Sequence, residues 1–241
     1  MGSNANSKLG MGDTTFRLSL VKIVNSGVIE FAAAGHHSLY IKDAGSLWAV
    51  ERNNHGQLGD GTTVAKHLPA KVVDSGVVSV AGGGLHNALI KNDGSLWTMG
   101  KNDEDQLVVG DWVGHVNPTK IVDSGVTQLS TLYDHTLFIK SDGSLWGVGE
   151  NLFGKLGQGD NANRNSPVQI LASGVKEASS GGGQSLVVKT DGTLWVTGKD
   201  DFEQLGLGCT AHWNTLNQIA GVTGVSMVMA GGALQPIHKI R

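Results

Sequence analysis

Three histidines stand 49 residues apart, at His37, His86 and His135. Each opens a short apolar run: HSLYIK, HNALIK and HTLFIK. Imidazoles at one repeated position can converge if the repeats are set around an axis. Three imidazoles with a fourth position open form the ligand set of a catalytic zinc site. Zinc or another divalent transition metal held there would polarise a phosphoryl or acyl oxygen and lower the pKa of a bound water. Tyr133 and Asp134 precede the third histidine and would bring a phenol and a carboxylate. Asp134 could ligate, orient a ligating imidazole or serve as general base. On this reading the chain is a metal-dependent hydrolase of phosphoesters or carboxylesters. His37, His86 and His135 hold the metal, and Asp134 and Tyr133 assist catalysis. A plainer reading stands beside it. The period imposes the spacing, and a buried imidazole needs hydrogen-bond partners in any case.

Two further departures are visible. Cys209 and His212 lie three apart in GCTAHW. A nucleophilic Cys–His pair needs mutual hydrogen-bond reach and a third orienting group, and a packed thiol is the simpler reading. Glu51 stands where the neighbouring units carry Gly100, Gly149 and Gly198. No nucleophile elbow, phosphate loop or Cys-x-x-Cys motif is present.

The elements that must position these residues come from a repeat. Gly27, Gly76, Gly125 and Gly174 follow one another at steps of 49, and Gly224 comes 50 later. Such a period marks a repeat architecture. Each unit has four short runs. The first are VIEFA, VVSVA, VTQLS and VKEAS. The second begin at the histidines and, in the fourth unit, at Gln184. Turns containing Asp-Gly or Ala-Gly follow, suited to tight hairpins. The third runs carry Trp48, Trp97, Trp146 and Trp195 at one position, a recurrent packing device. A polar loop with a repeated Leu and Gly leads to the fourth runs, LPAKVV, PTKIV, PVQIL and LNQIA.

Four strands joined by short turns make one propeller blade. No stretch sustains a 3.6-residue apolar period, so almost no helix is expected. The repeat units are 28–76, 77–125, 126–174 and 175–224. Residues 2–13 align with 149–160, so LSLVKIV at 18–24 is expected as a fourth strand. Residues 225–240 are expected as first and second strands of the same blade. The fold expected is an all-β, five-bladed β-propeller, a single domain over 1–241 whose ends share a blade from 1–27 and 225–241. The shared blade has no third run of its own, so it is thin or the chain is part of a longer array.

Composition narrows the function. The net charge is −3, with 18 basic and 21 acidic residues and no Lys or Arg run. No nucleic-acid footprint is therefore expected. No apolar run approaches membrane-spanning length, so no membrane partner is expected. The single cysteine excludes an intrachain disulfide.

The order Val-x-x-Val-Ala-x-Gly-x-x-His-x-x-x-Leu, Asp-Gly-x-Leu-Trp-x-x-Gly-x-Asn and Gln-Leu-Gly recurs through the chain. It resembles the regulator of chromosome condensation repeat. The resemblance implies a β-propeller, usually of seven blades, and a structural role for the repeated histidine. It also implies that the turns before that histidine form a contact rim in members that bind proteins. Nucleotide exchange on a small GTPase is not supported, because there are few blades and no wedge-like insertion.

The turns and long loops then become the candidate binding surface, at one mouth of the propeller. His36, Leu85, Tyr133, Asp134 and Gln184 fall on the turns. Phe153 and Phe202 fall on the long loops, as interface anchors or as covers for the blade beneath. The third unit stands out, with Thr131, Leu132, Tyr133 and Asp134 in place of a glycine-rich turn. Drift within a repeat would produce the same change. The function expected is a monomeric binding scaffold that holds a protein or small-molecule ligand at the channel mouth, with the hydrolase as its alternative.

Overall fold

The computed structural model describes residues 10–13, 15–103, 106, 107, 109 and 111–232. It contains four antiparallel four-stranded sheets, each with its strands in sequence order. The first is β1 (Val28–Ala33), β2 (His37–Lys42), β3 (Leu47–Glu51) and β4 (Lys66–Val73). The second is β5 (Val77–Gly82), β6 (His86–Lys91), β7 (Leu96–Gly100) and β8 (His115–Val122). The third is β9 (Val126–Leu132), β10 (His135–Lys140), β11 (Leu145–Gly149) and β12 (Arg164–Leu171). The fourth is β13 (Val175–Ser180), β14 (Gln184–Lys189), β15 (Leu194–Gly198) and β16 (Trp213–Gln218). These are blades of a β-propeller. The one described helical segment within a blade is a 3-10 turn at Leu152–Gly154.

Local chemistry explains why each unit folds alike. In the second blade, the Asp93 carboxylate accepts from the Ser95 amide and hydroxyl, closing the turn between β6 and β7. Asp142 and Asp191 repeat this with Ser144 and Thr193. These bonds hold all three carboxyls below their ordinary pKa. The indole N–H of each repeated tryptophan donates to the hydroxyl two residues before it. A lysine from the second strand lies over each indole, at 3.7 Å for Lys189 and 4.9 Å for Lys42. The tryptophan is thus clamped at one edge and one face.

By compactness the chain divides into two units. One is Met1–Asp103 with Val113–Ser124, and the other is Glu104–Trp112 with Gly125–Arg241. In the first unit the core lies between blades. Leu39, Ile41, Leu47 and Ala49 of the first blade meet Val77, Val80, Leu89 and Met99 of the second. In the second unit Leu137, Ile139 and Leu145 meet Val175 and Val187 in the same way. Leu186, Val188, Leu194 and Val196 then meet Val225 and Val228. Burial of paired sheet faces is the main stabilising force.

The terminal stretches differ from expectation. Residues 18–24 form no strand, and Leu18 and Leu20 are exposed. A fourth strand takes its hydrogen-bond ladder from a third, and no SLW run is available here. Residues 225–230 form no strand either, yet they occupy an inner-strand place. Val225 donates its amide to Gly192, as Val175 does to Gly143. The Ala230 amide meets the Ser179 hydroxyl, as the Ser180 amide meets that of Ser130. The remaining expected strand, at 234–240, lies outside the described residues, as does the loop at 1–9.

Candidate functional site

Strand register brings the short turn and the long loop of each blade side by side. His37 pairs with Glu51, His135 with Gly149 and Gln184 with Gly198. The residue before each second strand therefore adjoins the residue that opens the long loop. The Glu150 amide donates to Asp134, at 2.9 Å, and the Lys199 amide to Gly183, at 2.8 Å. A buried Asn sets the loop beyond. The Asn151 carbonyl oxygen accepts from the Leu156 amide, and its NH2 donates to the Asp160 carbonyl. Asn53 does the same with Leu58 and Thr62.

The repeated histidines point elsewhere than the hydrolase reading requires. All three are buried. His37 Nε2 lies 2.8 Å from Asn87 Oδ1 of the next blade. The Asn87 NH2 donates to the Gln57 carbonyl, so Oδ1 must face the histidine and Nε2 must carry the proton. His135 Nε2 meets the Ser185 hydroxyl at 3.1 Å, and that hydroxyl donates to the Lys155 carbonyl. In both pairs the imidazole latches its blade to the next one. Among the described residues no three His, Cys, Asp or Glu side chains gather to hold a metal ion. His37, His86 and His135, the residues expected to hold a metal, belong to no such group. The period that aligns the imidazoles also turns those of His37 and His135 toward the next blade. Burial lowers the His37 pKa to about 4, opposed by the Asn87 hydrogen bond. The ring is neutral at pH 7.

The expected contact residues separate into two groups. In the second unit, Tyr133, Phe153, Gln184 and Phe202 line one depression of about 270 Å³ with Lys199 and Gln204. Phe202 is 69% exposed and Tyr133 48%. Lys199 Nζ lies 5.1 Å from the Phe153 ring centre and 2.9 Å from Asp201 Oδ2. Tyr133 and Phe153 both hold left-handed backbone, with φ of 55° and 65°. Glycine adopts that region without steric cost, whereas bulky side chains rarely do. Asp134 lies outside the lining and accepts from Gln106 Nε2 at 3.1 Å. The pair of Asp134 and Tyr133 is thus divided between a structural bond and a surface.

In the first unit, His36 lines a pocket of about 460 Å³ with Glu51 and Arg52. Leu85 is half-buried and does not line it. Sequence reasoning missed this pocket as a site, although Glu51 in a glycine position signalled it. His212 makes its contacts with the Asp200 amide, Asp201 and the Phe153 ring. Its imidazole is thus engaged by blade-loop residues rather than given to Cys209 as a catalytic base.

The regulator of chromosome condensation (RCC1) repeat matches residues 44–90 and 142–188, and a second form of that repeat matches 77–106. The chain is an RCC1-like repeat protein. Solved structures agree on the fold. Human WBSCR16 aligns with a TM-score of 0.82 at 24% identity, covering 95% of this chain and 65% of that one. Prp20p from Saccharomyces cerevisiae, in a study of its binding to Gsp1p and histones, gives 0.75 at 18% identity, covering 90% and 56%. Yeast RCC1 (Prp20) bound to Kap60 gives 0.71 at 19%, covering 83% and 50%. The chain spans less than two thirds of each of these chains. No curated protein matches it in sequence. Against this RCC1-like template, Glu51, Tyr133 and Phe153 are side chains placed where the backbone favours glycine.

Proposed function

We propose that this RCC1-like chain is a protein-binding scaffold. Its docking surface is the depression bounded by Tyr133, Phe153, Gln184, Lys199 and Phe202. One observation carries the reading: two aromatic residues hold left-handed backbone around a single depression. Strain of this kind concentrates at functional positions because packing alone would select glycine. Exposed aromatics beside a lysine suit an extended protein segment that offers an apolar side chain and a carboxylate. Aromatic anchors supply most of the affinity at such surfaces. The structural relatives are consistent with this, since Prp20 is described with Gsp1p, histones and Kap60 as protein partners.

A peptide selected from a displayed library against the wild-type chain provides the test. Phe202→Ala and Tyr133→Ala should each weaken it about tenfold or more, the usual scale of a hot-spot loss. Leu68→Ala, an exposed apolar residue of the first unit, should leave it unchanged. Equal affinity across all three variants would place binding elsewhere.

A further inference from the structure

The depression bounded by Tyr133, Phe153 and Phe202 has glycine backbone between its aromatic walls, at Gly182, Gly183 and Gly232. A Cβ on Gly232 would stand 3.2 Å from the Tyr133 hydroxyl, and one on Gly183 2.9 Å from Lys199 Cβ. Any larger residue at either position would crowd the walls. The apolar surface on offer is therefore ring, set beside bare main chain.

The polar groups of this lining are unequally spent. The Gln184 carboxamide oxygen accepts from the Gly183 amide at 3.1 Å, and the Gln204 oxygen from the Phe202 amide at 2.8 Å. The Gly183 carbonyl accepts from the Lys199 amide, and the Gly182 amide donates to the Gly231 carbonyl. Both carboxamide oxygens are thus used to satisfy the chain's own backbone. What remains can donate. The Gln204 NH2 and the Tyr133 hydroxyl have no hydrogen-bond partner among the described residues. Lys199 meets Asp201 Oδ2 at 2.9 Å and keeps further N–H groups. An amide NH2 and an ammonium only donate, whereas a phenol does either.

That balance selects among protein segments. An ordinary residue brings one N–H with every C=O, and each N–H pressed against such a lining needs an acceptor. Proline brings the carbonyl without the N–H. Prolines in sequence adopt the polyproline II helix, whose carbonyls make no internal hydrogen bonds and stay available. Their rings pack on aromatic side chains, and the pre-ordered helix loses little entropy on docking. Resting on the docking surface proposed above, we infer that its partner is a proline-rich segment in polyproline II conformation. Proline rings lie on Tyr133, Phe153 and Phe202. Segment carbonyls accept from the Gln204 NH2 and the Tyr133 hydroxyl. Lys199 meets an acidic residue that flanks the prolines.

Fluorescence anisotropy on the full chain, with labelled synthetic peptides, tests this. The probe is Ac-PPPPPPP-NH2, and the control is Ac-GLSGLSG-NH2, which carries apolar side chains on a backbone full of N–H groups. The proline peptide should bind about tenfold more tightly than the control. Gln204→Glu keeps an oxygen for the Phe202 amide and removes the NH2 donor, without setting a charge against a charged probe. Tyr133→Phe keeps the ring and removes the hydroxyl. Each should weaken the proline peptide about fivefold, the scale of one hydrogen bond, with an unchanged melting temperature. Control binding as tight as the proline peptide, or proline binding indifferent to both variants, would overturn the proline assignment and leave the docking surface standing. So would no proline binding at about 1 mM while a library-selected peptide still depends on Phe202. Binding of every peptide indifferent to Phe202→Ala would overturn the docking surface itself, and this inference with it.

Discussion

The first and third blades begin from the same repeat and depart from it at neighbouring corners. The third blade keeps Gly149 at the end of its third strand and places Tyr133 in the turn beside it. The first blade keeps Gly35 in the turn and places Glu51 at the strand end. Both substitutions carry left-handed backbone, at φ 55° for Tyr133 and 93° for Glu51. Their side chains meet opposite environments. Tyr133 is half exposed beside Phe153 and Phe202, whereas Glu51 is nearly buried in a polar pocket. One repeat therefore presents an aromatic depression in one unit and a pocket lined by charged residues in the other. The difference lies at two glycine positions, where an L side chain costs about 1–3 kcal/mol of backbone strain.

Transplanting one departure into the other blade should break the fold most severely. Gly149→Glu introduces a Cβ 2.5 Å from the Asp134 oxygen and 3.1 Å from His135 Cα, in a blade that has not opened its strands. Strain and overpacking together should cost about 4 kcal/mol, read as a shift in denaturant midpoint. Survival with a small loss would show that any blade tolerates this glutamate without opening its strands.

Acid should come next. His37 is neutral when buried, with a pKa near 4 against an ordinary 6.5. Between those values the unfolded chain binds the extra proton and the folded one does not. Stability therefore falls as pH drops from 6.5, with the loss complete below 4. The loss amounts to about 3 kcal/mol from this group. Melts of wild type and His37→Gln across that window should converge as pH falls. Parallel curves would mean that the latch is not buried as described.

The smallest expected effect compares the loops of the third and fourth blades. Asp200 replaces Asn151, and its Oδ1 accepts from the Leu205 amide as the Asn carbonyl does from Leu156. Its second oxygen stands where Asn151 carries a donor, and has no partner among the described residues. Burial accordingly raises its pKa. A carboxyl raised in the folded state stabilises below its ordinary range and loses that contribution as pH rises through its folded value. Asp200→Asn should stabilise the chain by about 1 kcal/mol at pH 7, seen as a higher melting temperature. A lower one would mean that the carboxylate has a partner that this geometry does not reveal.

Much of the fold was legible from residues. The runs HSLYIK, HNALIK, HTLFIK and QSLVVK are β2, β6, β10 and β14 without a change of boundary. Alternation and turn chemistry are local, so sequence reports them. The LSLVKIV stretch was misread because a strand needs a partner as well as a pattern. Of the contact residues, Tyr133, Phe153, Gln184 and Phe202 do share one depression, while Asp134 does not line it. The direction of a side chain at a turn depends on φ, and glycine-like φ at Tyr133 and Phe153 is not written in their identity.

The sequence by itself determined the period, the four-stranded blade, the recurrent tryptophan and the departures from the template at Glu51 and Tyr133. These follow from side-chain alternation and the short reach of turns. Only the tertiary structure decided where the histidines point. A 49-residue repeat is compatible with imidazoles that converge and with imidazoles that each reach the next blade. The choice depends on which neighbour offers a buried acceptor, and Asn87 and Ser185 offer one to His37 and His135. The tertiary structure also decided that Glu51 and Arg52 face one pocket, because strand register, rather than sequence adjacency, sets what a strand end meets.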